Sequence, residues 1–144
     1  MSKSIRETSV KLASVIALTT LATMTSCDIH RLDLKLALEV EAGANPKPAG
    51  LGMTQTKAEL TDSCVLFWIE CDESVVPFTK IDERSDEVRR QFLTHLHDDD
   101  IEHRSPLHEI AGCAKRCNLP IVWVYEATES HRQTIIRIEP REMK

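Results

Sequence analysis

Residues 64–71 read CVLFWIEC, a short, nearly continuous run of apolar side chains rich in β-formers. A run this short and this apolar is what the central strand of a sheet looks like, because both of its faces are covered. Parity separates Val65, Phe67, Ile69 and Cys71, a wholly apolar face, from Cys64, Leu66, Trp68 and Glu70. The next segment, VVPFTKI (75–81), contains Pro77 and is expected as an edge or bulged strand, since proline lacks the donor that a central strand needs. At SDEVRRQFLTHL (85–96) the period changes: Val88, Phe92, Leu93 and Leu96 share a helical stripe, Ser85 is the expected N-cap, and Asp86 and Glu87 sit where a helix start favours negative charge. A second helix is expected from Ser105-Pro106 through Leu107, Ile110, Ala111 and Ala114, ending at Asn118 before Pro120. IVWVY (121–125) and TIIRI (134–138) complete the pattern as strands. Strands, two helices, then strands predict an α+β domain with a mixed or antiparallel sheet and two helices packed on one face.

On the N-terminal side of the central strand, residues 43–63 hold three of the four glycines and two of the six prolines. They are expected to form a long connection with a short extra strand near Met53 to Lys57. LDLKLALEVE (32–41) places Leu32, Leu34, Leu36, Leu38 and Val40 at every second position, which predicts a half-buried strand. The single domain is thus expected over 32–144, with 27–31 as a short tether.

The first residues are organised differently. Lys3, Arg6 and Lys11 outweigh Glu7, the 15 residues from Leu12 to Ser26 carry no charge, and the small residues Thr25 and Ser26 lead into Cys27. Crossing the hydrocarbon as a helix takes about 20 residues, so this run is short for a permanent span. The order basic, apolar, small, ending LATMTSCD, resembles a bacterial lipoprotein signal. That resemblance covers residues 1–27 only. It implies cleavage before Cys27, a diacylglyceryl group on the Cys27 sulfur, and acylation of the new amino terminus. Met24 departs from the leucine most common at that place. Asp28 matches the residue that retains lipoproteins at the inner membrane in the enteric sorting pattern, with the outer membrane as the alternative. Either way the resemblance implies a lipid anchor on the periplasmic face of a Gram-negative-type envelope.

Removing residues 1–26 takes away three basic side chains and one acidic one, so the net charge goes from −5 to about −7 over the remaining 118 residues. That length suits one modest domain. The acidic balance disfavours nucleic acid, whose phosphates require a positive patch. Export also leaves four cysteines, Cys64, Cys71, Cys113 and Cys117, in a compartment where disulfides persist. Cys64 and Cys71 at the ends of an extended strand are about 23 Å apart and Cys113 and Cys117 about 6 Å, whereas a bridge reaches about 6.8 Å. Either the strand is bent or one strand-to-helix bridge forms, and face parity makes Cys71 with Cys117 the first choice.

The densest set of polar ligand types is THLHDDDIEHRSPLHEIAGCAKRC (94–117), with His95, His97, His103 and His108. Such residues can hold zinc or copper, but His95 and His97 point in nearly opposite directions on a helix, and neither a paired CxxC nor an HExxH is present. A solvated turn between helices is the favoured reading, with no metal and no cofactor. Cys113 and His108, five residues apart on one helix, lie about 140° apart around its axis and cannot form a thiol nucleophile with its base. GLG at 50–52 lacks the third glycine of a dinucleotide fingerprint. These observations favour a non-enzymatic, lipid-anchored binding or structural module whose partner is another envelope protein, such as a subunit of a secretion, conjugation or exclusion assembly. The alternatives are a metal-binding envelope protein using residues 95–117 and a small cytoplasmic enzyme with a reactive cysteine.

Overall fold

The computed structural model describes residues 26–143, so of the signal segment expected over residues 1–26 all but Ser26 lies outside the described residues. Helix α1 spans Ser26–Gly43 and is followed by β1 (Lys47–Gly50), β2 (Met53–Leu60) and β3 (Val65–Cys71). Helices α2 (Phe78–Glu83), α3 (Ser85–His97) and α4 (Pro106–Arg116) come next, with a 3-10 turn at Ile101–His103 between the last two. Strands β4 (Ile121–Ala127) and β5 (Gln133–Ile138) and a 3-10 turn at Pro140–Glu142 complete the chain. The sheet runs β1-β2-β3-β4-β5; its one parallel pair is β3 with β4, and all other neighbours are antiparallel. This is the expected α+β domain with a mixed sheet.

β3 is the central strand and buries the face that parity assigned, with Val65, Phe67, Ile69 and Cys71 all inward. In β4, Trp123 lies between two rings, stacked on Phe67 (centroids 5.5 Å apart) from the sheet and on Phe92 (4.2 Å) from α3. That stack locks α3 over β4. The C-terminal turn holds α3 from its other side: Arg89 pairs with Glu142 and donates through Nε to the Arg137 carbonyl (3.1 Å), and His97 Nε2 bonds the Glu142 carbonyl (2.7 Å).

Three expectations are corrected. Residues 32–41 belong to helix α1 and do not form a strand, and the tether expected at 27–31 is helical as well. An alternation of five apolar residues contains two i, i+4 ladders, and on a helix these fall on opposite faces. Leu34 and Leu38 are buried in the core, while Leu32, Leu36 and Val40 are exposed. The Leu, Ala, Glu and Lys content, intrinsically helical, decides between the two readings. Second, VVPFTKI is not an edge strand. The Asp72 carbonyl accepts from the amides of Val75 and Val76, Pro77 takes the N-cap place, and α2 starts at Phe78 with that ring buried. Third, the segment 43–63 is mostly a β-hairpin, in which β2 includes the short strand expected at 53–57. The hairpin turns at Gly52, whose φ of +67° is left-handed and where a Cβ would stand 2.8 Å from the Cβ of Val75, so only glycine fits.

Helix α1 makes a third helix on the covered face, beside the two anticipated. Arg31 Nη2 donates to the Thr61 carbonyl (3.2 Å) beyond the far end of β2. Ten residues on, Glu41 pairs with Lys47 and accepts from the buried amide of Gln55 (3.2 Å), which also donates to Asn45 Oδ1 (3.0 Å). These two clasps fix α1 antiparallel to β2. They hold the Leu34 and Leu38 face inward and the opposite face outward.

Candidate functional site

The polar segment singled out in the sequence folds into a cleft between the end of α3 and the start of α4. It is open to solvent, holds about 640 Å³, and is lined by Leu96, Asp98, Asp99, Arg104, Ser105, His108, Glu109, Ala111, Gly112 and Arg116. The chain turns there because the aspartate run supplies its own backbone acceptors. Asp98 Oδ1 accepts from the amide of Asp100 (3.0 Å), and Asp100 Oδ1 accepts from the amide of Glu102 (3.1 Å). Both are side-chain mimics of a backbone turn.

Two of the four histidines lock the start of α4. Ser105 is the N-cap, Pro106 follows at the first helical position, and His108 takes the place that Glu or Gln usually holds in a capping box. Nδ1 of His108 accepts from the Ser105 amide (2.9 Å), so that nitrogen carries no proton, and Nε2 then donates to the His95 carbonyl (2.8 Å). His108 is therefore the neutral Nε2–H tautomer, with both ring nitrogens committed to backbone. The His95 ring stands over it, 4.5 Å between centroids, and its Nε2 is 2.9 Å from Ser105 Oγ.

This arrangement decides what the segment can do chemically. A hydroxyl 2.9 Å from an imidazole nitrogen has the spacing of a nucleophile and its base. Among the described residues, however, no carboxylate bonds either ring, and the Ser105 hydroxyl is also 3.3 Å from Nδ1 of His108 inside the helix cap. For metal binding, His108 has no lone pair to give, and His97 points away to the C-terminal turn. Three of the four candidates thus go to different partners, since His95 meets His108 and His97 meets the Glu142 carbonyl, while the fourth, His103, is the last residue of the 3-10 turn. Among the described residues no group of three His, Cys, Asp or Glu is placed to hold a metal ion. The helix start at Ser105-Pro106 was expected; the sequence signal that was missed is His108 in the acceptor position of the capping-box spacing S-P-L-H at 105–108. At the other helix start the expected cap is corrected: Arg84 occupies the N-cap position of α3, Ser85 is its first helical residue, and Arg84 pairs with Glu87 (3.1 Å).

Cys64, Cys71, Cys113 and Cys117 are present as thiols. Cys71 faces the helices as parity requires, but it ends β3 opposite Ala127, whereas Cys117 closes α4 just before β4 begins at Ile121, opposite Val65. Asn118, next in the chain, shares a hollow with Glu139 and Pro140 beyond the end of β5, at that same end of the sheet. Six extended residues, about 20 Å, separate the two ends, so the fold keeps Cys71 out of bridging distance of Cys117. Burial pushes the Cys71 thiol up to about 11, with Glu73 adding to the shift. The Cys113 sulfur is buried and accepts from Arg116 Nη2 (3.6 Å).

Cys27 is the second residue of α1. No spacer separates the proposed lipid attachment from the folded domain. Among the described residues no helix is long and apolar enough to cross a membrane.

No protein-family model matches this chain, and a search of curated proteins finds no match. Among solved structures the fold is similar to that of a candidate secreted protein from Pseudomonas aeruginosa, with a TM-score of 0.60 and 7% sequence identity over 84% of this chain and 99% of that one. At that identity the likeness extends to the fold.

Proposed function

We propose that this protein is a lipid-anchored component of a bacterial envelope, held at the membrane by acyl chains on Cys27, which acts by contact with another envelope protein and not by catalysis. The observation that carries the reading is the junction at Cys27: a basic, then apolar, then small run that resembles a lipoprotein signal ends there, and helix α1 begins at the residue before it. A neighbour in fold described as a candidate secreted protein agrees with export. Two or three acyl chains, each buried methylene worth about 0.8 kcal/mol, hold such a protein at the bilayer essentially permanently. The contact surface is the cleft between α3 and α4. Its mixed lining of Arg104, Arg116, Asp98, Asp99 and Glu109 is unlike the enclosed, mainly apolar pockets that take small molecules, and suits the polar rim of a protein interface. Cys27→Ser is expected to leave an uncleaved precursor, and photocrosslinkers at exposed positions 99, 102 and 104 are expected to capture a membrane-associated protein. A Cys27→Ser protein with the mature mass that still sediments with membranes would refute the anchor. Capture of soluble periplasmic proteins alone would refute the partner class.

A further inference from the structure

A cavity of about 230 Å³ lies between the covered face of the sheet and the helices, and it shares no lining residue with the cleft between α3 and α4. The chain has three Phe, two Trp and one Tyr, and four of these rings, Phe67, Phe92, Trp123 and Tyr125, stand in the cavity wall. Leu107 and Ile110 of α4 add aliphatic surface, and Glu41 and Lys47, with the exposed strand β1, form the rim.

Two buried polar groups in this wall have bonding capacity that the fold leaves unused. Tyr125 is 7% exposed, and among the described residues nothing bonds its hydroxyl, although a buried tyrosine ordinarily finds a partner. Gln55, also 7% exposed, donates through Nε2 to Glu41 and to Asn45, and its Oε1 has no donor among the described residues. The orientation of that amide is fixed, because the Glu41 carboxylate can only accept.

We propose that this cavity is a binding site for a small, uncharged aromatic molecule carrying one hydroxyl, a compound of the phenol class. Size limits the ligand to a single ring system, since pockets for larger molecules run to about 300–1,000 Å³. The four rings select an aromatic body, which gains from offset and edge-to-face contacts beyond the area it buries. Charge selects a neutral one. Lys47 and Glu41 pair with each other at the rim, and every other lining side chain is uncharged, so a charged ligand would enter without a counter-ion. The ligand hydroxyl bonds the Tyr125 hydroxyl, with Gln55 Oε1 as a second acceptor. A free molecule can pass the rim and let the Glu41–Lys47 pair close behind it, whereas a ring borne on a partner's backbone would hold that pair apart. Nothing in this site depends on the anchor at Cys27.

The test titrates p-cresol into the full chain in nonionic detergent and follows the indole N–H of Trp123 and the side-chain amide of Gln55 in proton–nitrogen NMR spectra. Both signals are expected to shift saturably, with a dissociation constant below about 1 mM. The indole N–H of Trp68, on the other face of β3, is expected to stay in place. Two probes of the same shape read the chemistry: p-toluate, which adds a negative charge, and methylcyclohexanol, which lacks the aromatic ring, should each bind about fivefold or more weakly. Tyr125→Phe keeps the ring and should weaken p-cresol about fivefold while leaving toluene, which has no hydroxyl, unchanged. The proposal is overturned by the absence of a saturable shift at Trp123 and Gln55, or by equal affinity for p-toluate or methylcyclohexanol. Binding of p-cresol that is unchanged in Tyr125→Phe, or lost there equally for toluene, overturns it as well. Tighter binding of N-acetyltyrosinamide than of p-cresol would assign the cavity to a partner's tyrosine and overturn it too.

Discussion

Leu34 and Leu36 are two residues apart, and replacing each by alanine separates the two readings of residues 32–41. In the half-buried strand expected from alternation, both side chains lie on one face, so both substitutions cost the same. In helix α1, Leu34 is 0% exposed and packs in the core, whereas Leu36 is 52% exposed on the opposite face. Leu→Ala at a fully buried site costs about 3 kcal/mol, in transfer of the lost methyl groups plus the cavity left behind. A surface change stays within about 0.5 kcal/mol. With a urea slope of about 2 kcal/mol/M, Leu34→Ala should lower the unfolding midpoint of a chain starting at Asp28 by about 1.5 M, and Leu36→Ala by no more than about 0.25 M. Circular dichroism at 222 nm through a urea titration measures both. Equal losses from the two variants would refute the helix.

Gly112 lies within α4, and a Cβ there would meet only Arg116 Nη2, at 3.8 Å; Gly112→Ala should therefore stabilise the domain by about 0.5–1 kcal/mol in the same titration. His108→Ala removes the acceptor of the Ser105 amide and should cost about 1–2 kcal/mol, whereas His108→Gln, which can accept in a capping box, should cost measurably less. Alkaline pH should destabilise the fold, because burial raises Cys71 to about 11 from an ordinary value of 9.0 and Tyr125 to about 12 from 10.0. Folded-state values above the unfolded ones mean that both groups hold protons in the native chain that the unfolded chain releases, so their contribution is intact below pH 9 and falls away between pH 9 and 12. Thermal unfolding across that range checks it, and a melting temperature that rises with pH would contradict it.

The legible parts of the fold were those where one physical signal stood alone. CVLFWIEC and IVWVY are too apolar and too short for anything but buried strands, and the stripe Val88, Phe92, Leu93, Leu96 has no period-two rival. Residues 32–41 misled because alternation and two i, i+4 ladders describe the same five positions, and only contact with β2 and α4 shows which set is inward. Pro77 misled differently: the same missing donor that bars a central strand also fits the start of a helix. The hairpin β1-β2 was hidden because its glycines and prolines speak for turns and cannot tell a loop from a strand pair. At the cleft, the residues were identified from sequence but their roles were not. Four histidines within 14 residues look like a ligand set until the backbone partners of His95, His97 and His108 are known.

The lipid anchor at Cys27 is tested most directly by the mass of one peptide. Trypsin acting on the protein extracted from membranes should release Cys27 to Arg31, CDIHR, carrying a diacylglyceryl group and a further acyl chain on its amino terminus. Recovery instead of the unmodified peptide from Leu12 to Arg31, LASVIALTTLATMTSCDIHR, as the predominant species would contradict it.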